Sequence, residues 1–251
     1  MTILKRLVST AFVLTLAASA RAAEIKVLCT NGVKAVVEEL IPQFERSSRS
    51  SDKVRIQFGP STELKKRIDA GEAFDLVIMT TVLIDEEIKA GKLVADSRTF
   101  IARSGLGVSI RSGAKKPNIS TVNAFRSALL NAESITYATQ GASAAPFEVL
   151  VAKLGITAQV KPKYNLRPTA AEVGDAVSSG IVELGIAPVS EILPVRGVEL
   201  VGPFPQEIQS YVELTAAVSA SAKENDAAKN LIAFLTAPGT MPVLKMKGME
   251  R

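Results

Sequence analysis

The chain has 251 residues, enough to bury one large core or two modest ones. With one cysteine and no histidine, it excludes an internal disulfide, a Ser-His-Asp or Cys-His catalytic site, and a transition-metal site built on imidazole. A formal net charge of +5, without a basic cluster or any tryptophan, argues against nucleic acid as a partner.

Lys5 and Arg6 give a short basic start, followed by an apolar run from Leu7 to Ala18 and then small residues. Basic, apolar, small is the order of a secretory signal peptide, expected over residues 1–20 with cleavage near Ala20 to Ala23. The apolar run is shorter than the roughly 20 residues that a membrane-spanning helix needs. Lys26-Val27-Leu28 precede Cys29, so no lipid-attachment junction is read there, and the cysteine is expected to be a buried small hydrophobe. Lys5 and Arg6 leave with the leader, so 28 basic residues remain against 25 acidic ones, a balance of +3. A soluble periplasmic protein is expected.

Along the mature chain, strands and helices alternate. Ile25 to Cys29 reads as a strand, and Val33, Val37, Leu40, Ile41 and Phe44 recur at helical spacing, with Pro42 a candidate kink. Val54 to Phe58 alternates with period two and reads as a second strand. Gly59-Pro60 breaks the chain, and Ser61 or Thr62 is placed to cap a helix that ends near Gly71. Asp75 to Met79 is a third strand, with Thr80-Thr81 at its carboxyl end and a helix from about Leu83 to Ala90. Such βα units call for a mostly parallel sheet with helices on both faces.

From about Ile101 the pattern restarts. Gly105 to Ile110 is a strand, and Ser120 or Thr121 caps a helix. Ser134 to Ala138 is a strand leading to the loop Thr139 to Ser143, and the helix after it stops at Gly155. Val160 to Tyr164 reads as a further strand, Ala170 to Ser178 as a helix and Ile181 to Ala187 as a strand ahead of Pro188-Val189-Ser190. Tyr211 to Val218 is strand-like and Asp226 to Leu235 is an amphipathic helix.

In open α/β sheets, ligands sit beyond the carboxyl ends of the strands. Four loops rich in small polar residues occupy that position: Thr30-Asn31-Gly32, Ser61-Thr62, Thr80-Thr81 and Gly141-Ala142-Ser143. Three of them open a helix, whose first N–H groups are free and whose amino terminus carries about half a positive charge. Each loop alone reads as an ordinary cap or turn, whereas several aimed at one cavity make an anion site without Lys or Arg.

The segments Ile25-Lys26-Val27-Leu28 leading into Asn31-Gly32, Phe58-Gly59-Pro60-Ser61-Thr62-Glu63-Leu64, Ala70-Gly71-Glu72 and Phe74-Asp75-Leu76 come in an ordered series. Ala227-Ala228-Lys229, Phe234-Leu235-Thr236 and Lys247-Gly248-Met249 continue it. In order and spacing the chain resembles the periplasmic molybdate-binding proteins and their relatives, type II solute-binding proteins of ABC importers. The resemblance implies an α/β, two-lobed periplasmic binding protein fold, each lobe a mostly parallel sheet flanked by helices, joined by crossover strands. It implies discontinuous lobes, residues 24–103 with 206–251 and residues 104–205. It further implies a monomer without cofactor or side-chain metal site, whose partners are a small anion and an inner-membrane permease.

The resemblance puts anion donors at Thr30 or Asn31 and at Ser61. Gly141-Ala142-Ser143 stands where molybdate binders have a Pro-containing loop, and near Ser190 this chain lacks the tyrosine that those binders carry. The expected ligand set is therefore Thr30, Asn31, Gly32, Ser61, Thr62, Thr80, Gly141, Ala142, Ser143 and Ser190, together with Arg103. Arg103 lies at the expected crossing between lobes, where a guanidinium could clamp a carboxylate or form an ion pair. Three functions are weighed on this basis. They are a receptor for a molybdate-type oxyanion, a receptor for a small organic carboxylate using Arg103, and a secreted enzyme with paired carboxylates drawn from Asp69, Asp75 and Asp85.

Overall fold

The structure is a computed structural model that describes residues 23–47 and 52–251; the expected leader at 1–20 lies outside the described residues. The first half runs β1 (Glu24–Thr30), α1 (Lys34–Ser47), β2 (Lys53–Gly59), α2 (Ser61–Asp69), β3 (Leu76–Thr80) and α3 (Thr81–Lys89). A long strand, β4 (Thr99–Arg111), leads into α4 (Val122–Asn131), β5 (Ile135–Tyr137), α5 (Ala144–Lys153) and α6 (Thr157–Val160). Then come α7 (Ala170–Ser178), β6 (Leu184–Pro188), α8 (Val189–Ile192) and β7 (Val198–Pro203). The chain closes with β8 (Tyr211–Val218), α9 (Asn225–Thr236) and α10 (Met241–Met246).

The strand order is β2-β1-β3-β8-β4-β6-β5, with β7 also paired to β4. β1 is parallel to β2 and β3, and β5 is parallel to β6. β8 runs antiparallel to both β3 and β4, and β6 and β7 run antiparallel to β4. Hence the sheet is parallel at its two ends and mixed where the chain crosses between halves. β4 makes that crossing: Thr99 to Gly105 pair with β8, and Leu106 to Arg111 pair with β6 and β7. At the change of partner the Gln209 side chain supplements the backbone bonds of Leu106 to the Ser210 carbonyl and the Phe204 N–H. Its Oε1 accepts from the Leu106 N–H at 2.9 Å and its Nε2 donates to the Leu106 carbonyl at 3.1 Å.

Burial follows the sequence pattern. Val36, Val37, Leu40, Ile41 and Phe44 of α1 pack on Ile25, Val27 and Cys29 of β1, and Pro42 sits inside the helix without ending it. On the opposite face, Leu28 and the alternate β3 residues Val77 and Met79 pack under α2 and α3 through Leu64, Ile68 and Ile84. Helices on both faces bury β3 almost completely, as expected of a central strand in an α/β sheet. Gly71 ends α2 with φ +83°, a conformation that a side chain disfavours.

Three local expectations change. Residues 160–164 do not form a strand; α6 ends there in a 3-10 turn over Lys161–Lys163, with one bridge from Tyr164 to Ile135. Pro162 has no N–H for a ladder, which favours the turn. β7 was not expected; its residues are only half buried, so it lacks the apolar run of a buried strand. Ser61 is the first residue of α2 rather than its cap, since Pro60 takes the capping position with φ −59° and ψ 145°. The Ser61 hydroxyl is therefore free for other partners.

Candidate functional site

A cleft of about 100 Å³ opens at the carboxyl ends of the strands, between the two halves of the molecule. The first half lines it with Thr30 at the end of β1 and Asn31 and Gly32 after it, Pro60, Ser61 and Thr62 after β2, and Thr80 at the end of β3 with Leu83 beyond it. The second half contributes Gln140, Gly141 and Ala142 after β5, Pro168, Thr169 and Ala170 at the start of α7, and Glu191 of α8. Val212 and Leu214 of β8 complete the lining.

The first wall is tied together by hydroxyls. Ser61 Oγ donates to Thr30 Oγ1 at 3.1 Å and accepts from the Thr80 N–H at 3.2 Å. One side chain thus locks the ends of three adjacent strands. Thr30 and Ser61 are both buried, so the bonds compete little with bulk water. Below them, Thr81 Oγ1 and Thr215 Oγ1 share a hydrogen bond of 2.8 Å.

Helix amino termini ring the cleft. α2, α3 and α7 begin on residues in or next to its lining, and α5 begins two residues beyond Ala142. No side chain caps the N–H groups of α2, α3 or α5. The helix dipoles add positive potential, although in α2 the Glu63 N–H already bonds to the Pro60 carbonyl, and in α5 the Ala144 N–H bonds to the Gly141 carbonyl and Pro146 has no N–H. α7 is capped by Thr169, whose Oγ1 accepts from the Glu172 N–H at 3.3 Å. Among the described lining residues there is no lysine or arginine, and Glu191 is the ionisable one. Burial alone pushes its carboxyl up to about 7, because no cation stands beside it.

Of the expected ligand set, Thr30, Asn31, Gly32, Ser61, Thr62, Thr80, Gly141 and Ala142 meet at this cleft. Three residues do not line it. Arg103 points elsewhere: Nε and an Nη donate to Glu250 Oε1 at 2.9 and 2.8 Å, and the guanidinium stacks 4.2 Å from the Tyr211 ring. The antiparallel bridge between Arg103 and Glu250 holds the carboxylate beside it, which explains why the arginine pairs there. Ser143 is buried at the start of α5, where its carbonyl accepts from the Phe147 N–H. Ser190 is buried too; its hydroxyl donates to the Gly32 carbonyl at 2.8 Å and its N–H donates to Ser104 Oγ. That contact spans the two halves and holds α8 against the turn after β1.

The three acids considered for an enzyme lie elsewhere. Asp75 accepts from the N–H groups of Lys26, Lys223 and Glu224, while Asp69 pairs with Lys65 and Lys92, and Asp85 with Arg98. Sequence reasoning missed Pro168, Thr169, Ala170 and Glu191. Thr169 carried a signal, since Thr169 and Glu172 have the spacing of a capping box ahead of an apolar helix. Glu191 carried none, because a single glutamate after Ser190 looks like any surface acid.

Comparison with known proteins adds relatives. The family described as "Bacterial extracellular solute-binding protein" matches residues 25–250. A Pseudomonas protein named "Aconitate isomerase" is 25% identical over 231 residues, 90% of this chain and 87% of that protein. "Molybdate-binding protein ModA" of Azotobacter vinelandii is 28% identical over 242 residues, 93% of this chain and 92% of its own length. The solved Azotobacter vinelandii periplasmic molybdate-binding protein superposes with a TM-score of 0.75 at 17% identity, covering 90% of this chain and 99% of that one. That architecture is the type II periplasmic binding protein fold, two lobes about a central cleft.

Proposed function

We propose, from the premise that the chain belongs to the bacterial extracellular solute-binding proteins, that its cleft captures a small oxyanion in the periplasm for delivery to an ABC importer. The observation that carries this reading is the lining: uncapped helix amino termini and a hydroxyl network, without a lysine or arginine among the described residues. A neutral-donor site meets a tetrahedral oxyanion from several sides, and the 28% identical relative is named for molybdate. In this reading residues 24–103 with 206–251 form one lobe and 104–205 the other. They close by bending where β4 and the return to β8 cross. One lobe takes up the anion, and the other closes over it, adding donors and expelling water, to give the form that the permease recognises. The protein acts as a monomer without a cofactor.

A second reading, a small carboxylic acid as ligand, now draws support from Glu191 rather than Arg103, and from the relative named for aconitate. A protonated carboxyl in the cleft can donate to a carboxylate.

A thermal-shift screen over molybdate, tungstate, sulfate and small di- and tricarboxylates decides between them. Ligand at about 100 times its Kd stabilises by about 2.7 kcal/mol. Stabilisation by the metal oxyanions alone supports the first reading, and stabilisation by carboxylates alone replaces it with the second. Interconversion of aconitate isomers, followed by proton NMR, would make the chain an enzyme.

A further inference from the structure

Glu191 is an unusual occupant of an anion-binding cleft, because an ionised carboxylate there would repel the ligand. It lies in the first turn of α8 and faces the turn after β1; a Cβ placed on Gly32 would be 3.7 Å from its Oε1. Its carboxyl has no hydrogen-bond or ion-pair partner among the described residues. Ser190, its neighbour, fixes α8 in place through the Gly32 carbonyl and Ser104, so the glutamate is held at the cleft.

The elements packed on α8 bring no charge to compensate. β6 and the turn Asn31–Val33 carry no ionisable side chain. β4 carries Arg103, paired with Glu250, and Arg111, which lies against Gly180. β7 carries Glu199, which pairs with Lys116 at the far end of the sheet. The turn at Gly248 also packs on Val189 and Leu193, and there Lys247 pairs with Glu39, while Lys34, next to the turn Asn31–Val33, pairs with Glu38. With no cation paired to it, an ionised Glu191 would repel a bound anion, and a proton between the two removes that repulsion.

We propose that Glu191 couples anion capture to a proton: the closed cleft holds one proton between the Glu191 carboxyl and a ligand oxygen. This inference rests on the anion-capture reading of the same cleft and adds its pH control. For an anion without a proton of its own, such as molybdate or sulfate, Glu191 supplies the proton and donates its O–H. Above the pH at which the free carboxyl ionises, that proton is taken up from solution as the ligand binds. The carboxyl's burial-raised value of about 7 puts the onset near neutrality. For a ligand that keeps a proton, such as hydrogen phosphate or a half-ionised dicarboxylic acid, the ligand supplies it and Glu191 accepts. The residue thus selects among anions by protonation state as well as by charge.

The test is calorimetry of the wild-type mature protein and of Glu191→Gln with molybdate, sulfate, phosphate and citrate at several pH values up to about 9. Titrations are repeated in buffers of different ionisation enthalpy. The expected result for molybdate or sulfate is nearly one proton taken up per ligand above neutrality, with affinity falling about tenfold per pH unit. Glu191→Gln, whose amide N–H donates at every pH, should bind with little pH dependence and no proton uptake. Wild-type binding with flat affinity and no proton exchange would overturn the coupling while leaving anion capture intact. A wild-type slope retained in Glu191→Gln would place the proton on another group and overturn it too. Failure of every anion to bind at any pH would remove the capture reading itself, and this inference with it. The wild-type proton count needs no variant, so a poorly folding mutant does not block the test.

Discussion

On the wall made by β1, β2 and β3, Thr30, Ser61 and Thr80 hydrogen-bond to one another. On the facing wall, Glu191 and the Gln140 side chain make no hydrogen bond among the described residues. The two walls also differ in construction. The first sits on parallel neighbouring strands backed by two cores, so its donors are locked before any ligand arrives. The second is assembled from a loop after β5, the start of α7 and the short α8. A preorganised wall fixes shape without reorganisation on binding. A wall with unpaired groups supplies the chemistry that responds to conditions. The comparison places rigidity in one half of the cleft and titration in the other.

The largest expected effect comes from Glu191. Its carboxyl is raised in the folded protein from 4.5 to about 7 by burial. The folded state therefore binds the proton more tightly than the unfolded state. Its contribution to stability is complete below about pH 4.5 and is lost as pH rises through about 7. Each unit corresponds to about 1.4 kcal/mol, so Glu191→Gln should gain on the order of 3 kcal/mol over wild type at alkaline pH. The gain should vanish near pH 4. Urea unfolding of the ligand-free proteins across pH measures the difference, and parallel curves would show that the second wall does not titrate as described.

Ser61→Ala probes the first wall. It removes the acceptor of the Thr80 N–H and the donor to Thr30 together. A buried N–H left without a partner costs about 1–3 kcal/mol, visible as a lowered urea midpoint. Affinity should fall as well, by about threefold to tenfold, because Thr30 and Thr80 lose their fixed positions. A stable variant with unchanged affinity would mean that the hydroxyl network does not set the shape of the site.

Thr169→Ala removes the side-chain cap of α7 on the second wall and should cost about 1 kcal/mol of stability. Thr169→Ser should recover most of it, since either hydroxyl can accept from the Glu172 N–H. The smallest effect belongs to Arg103→Ala. The pair with Glu250 has side chains 40% and 48% exposed, where water screens the charges, so its loss should cost less than about 1 kcal/mol. Anion affinity should stay within error by calorimetry. A tenfold loss would return Arg103 to the cleft in the ligand-bound state.

Local chemistry in the sequence determined much of the first wall. Apolar runs of period two and helical spacings after them located β1, α1, β2 and α2 to within a few residues. Small polar residues at the strand ends marked Thr30, Asn31, Gly32, Ser61, Thr62 and Thr80, because strand-to-helix turns in α/β sheets recur at one edge. Gly141 and Ala142 were legible for the same reason. The tertiary structure decided the rest. Arg103 and Glu250 are 147 positions apart, and the antiparallel bridge that joins them has no local signature. Ser190 reaches Gly32 across 158 positions, so its hydroxyl could not be assigned from its own neighbourhood. The reversal of β8 between β3 and β4, and the change of partner within β4, follow from how the two halves cross rather than from any residue pattern. Glu191 shows the limit most clearly. A carboxyl's charge state depends on the water and the cations around it, and only folding withdraws part of that water and leaves the cations elsewhere.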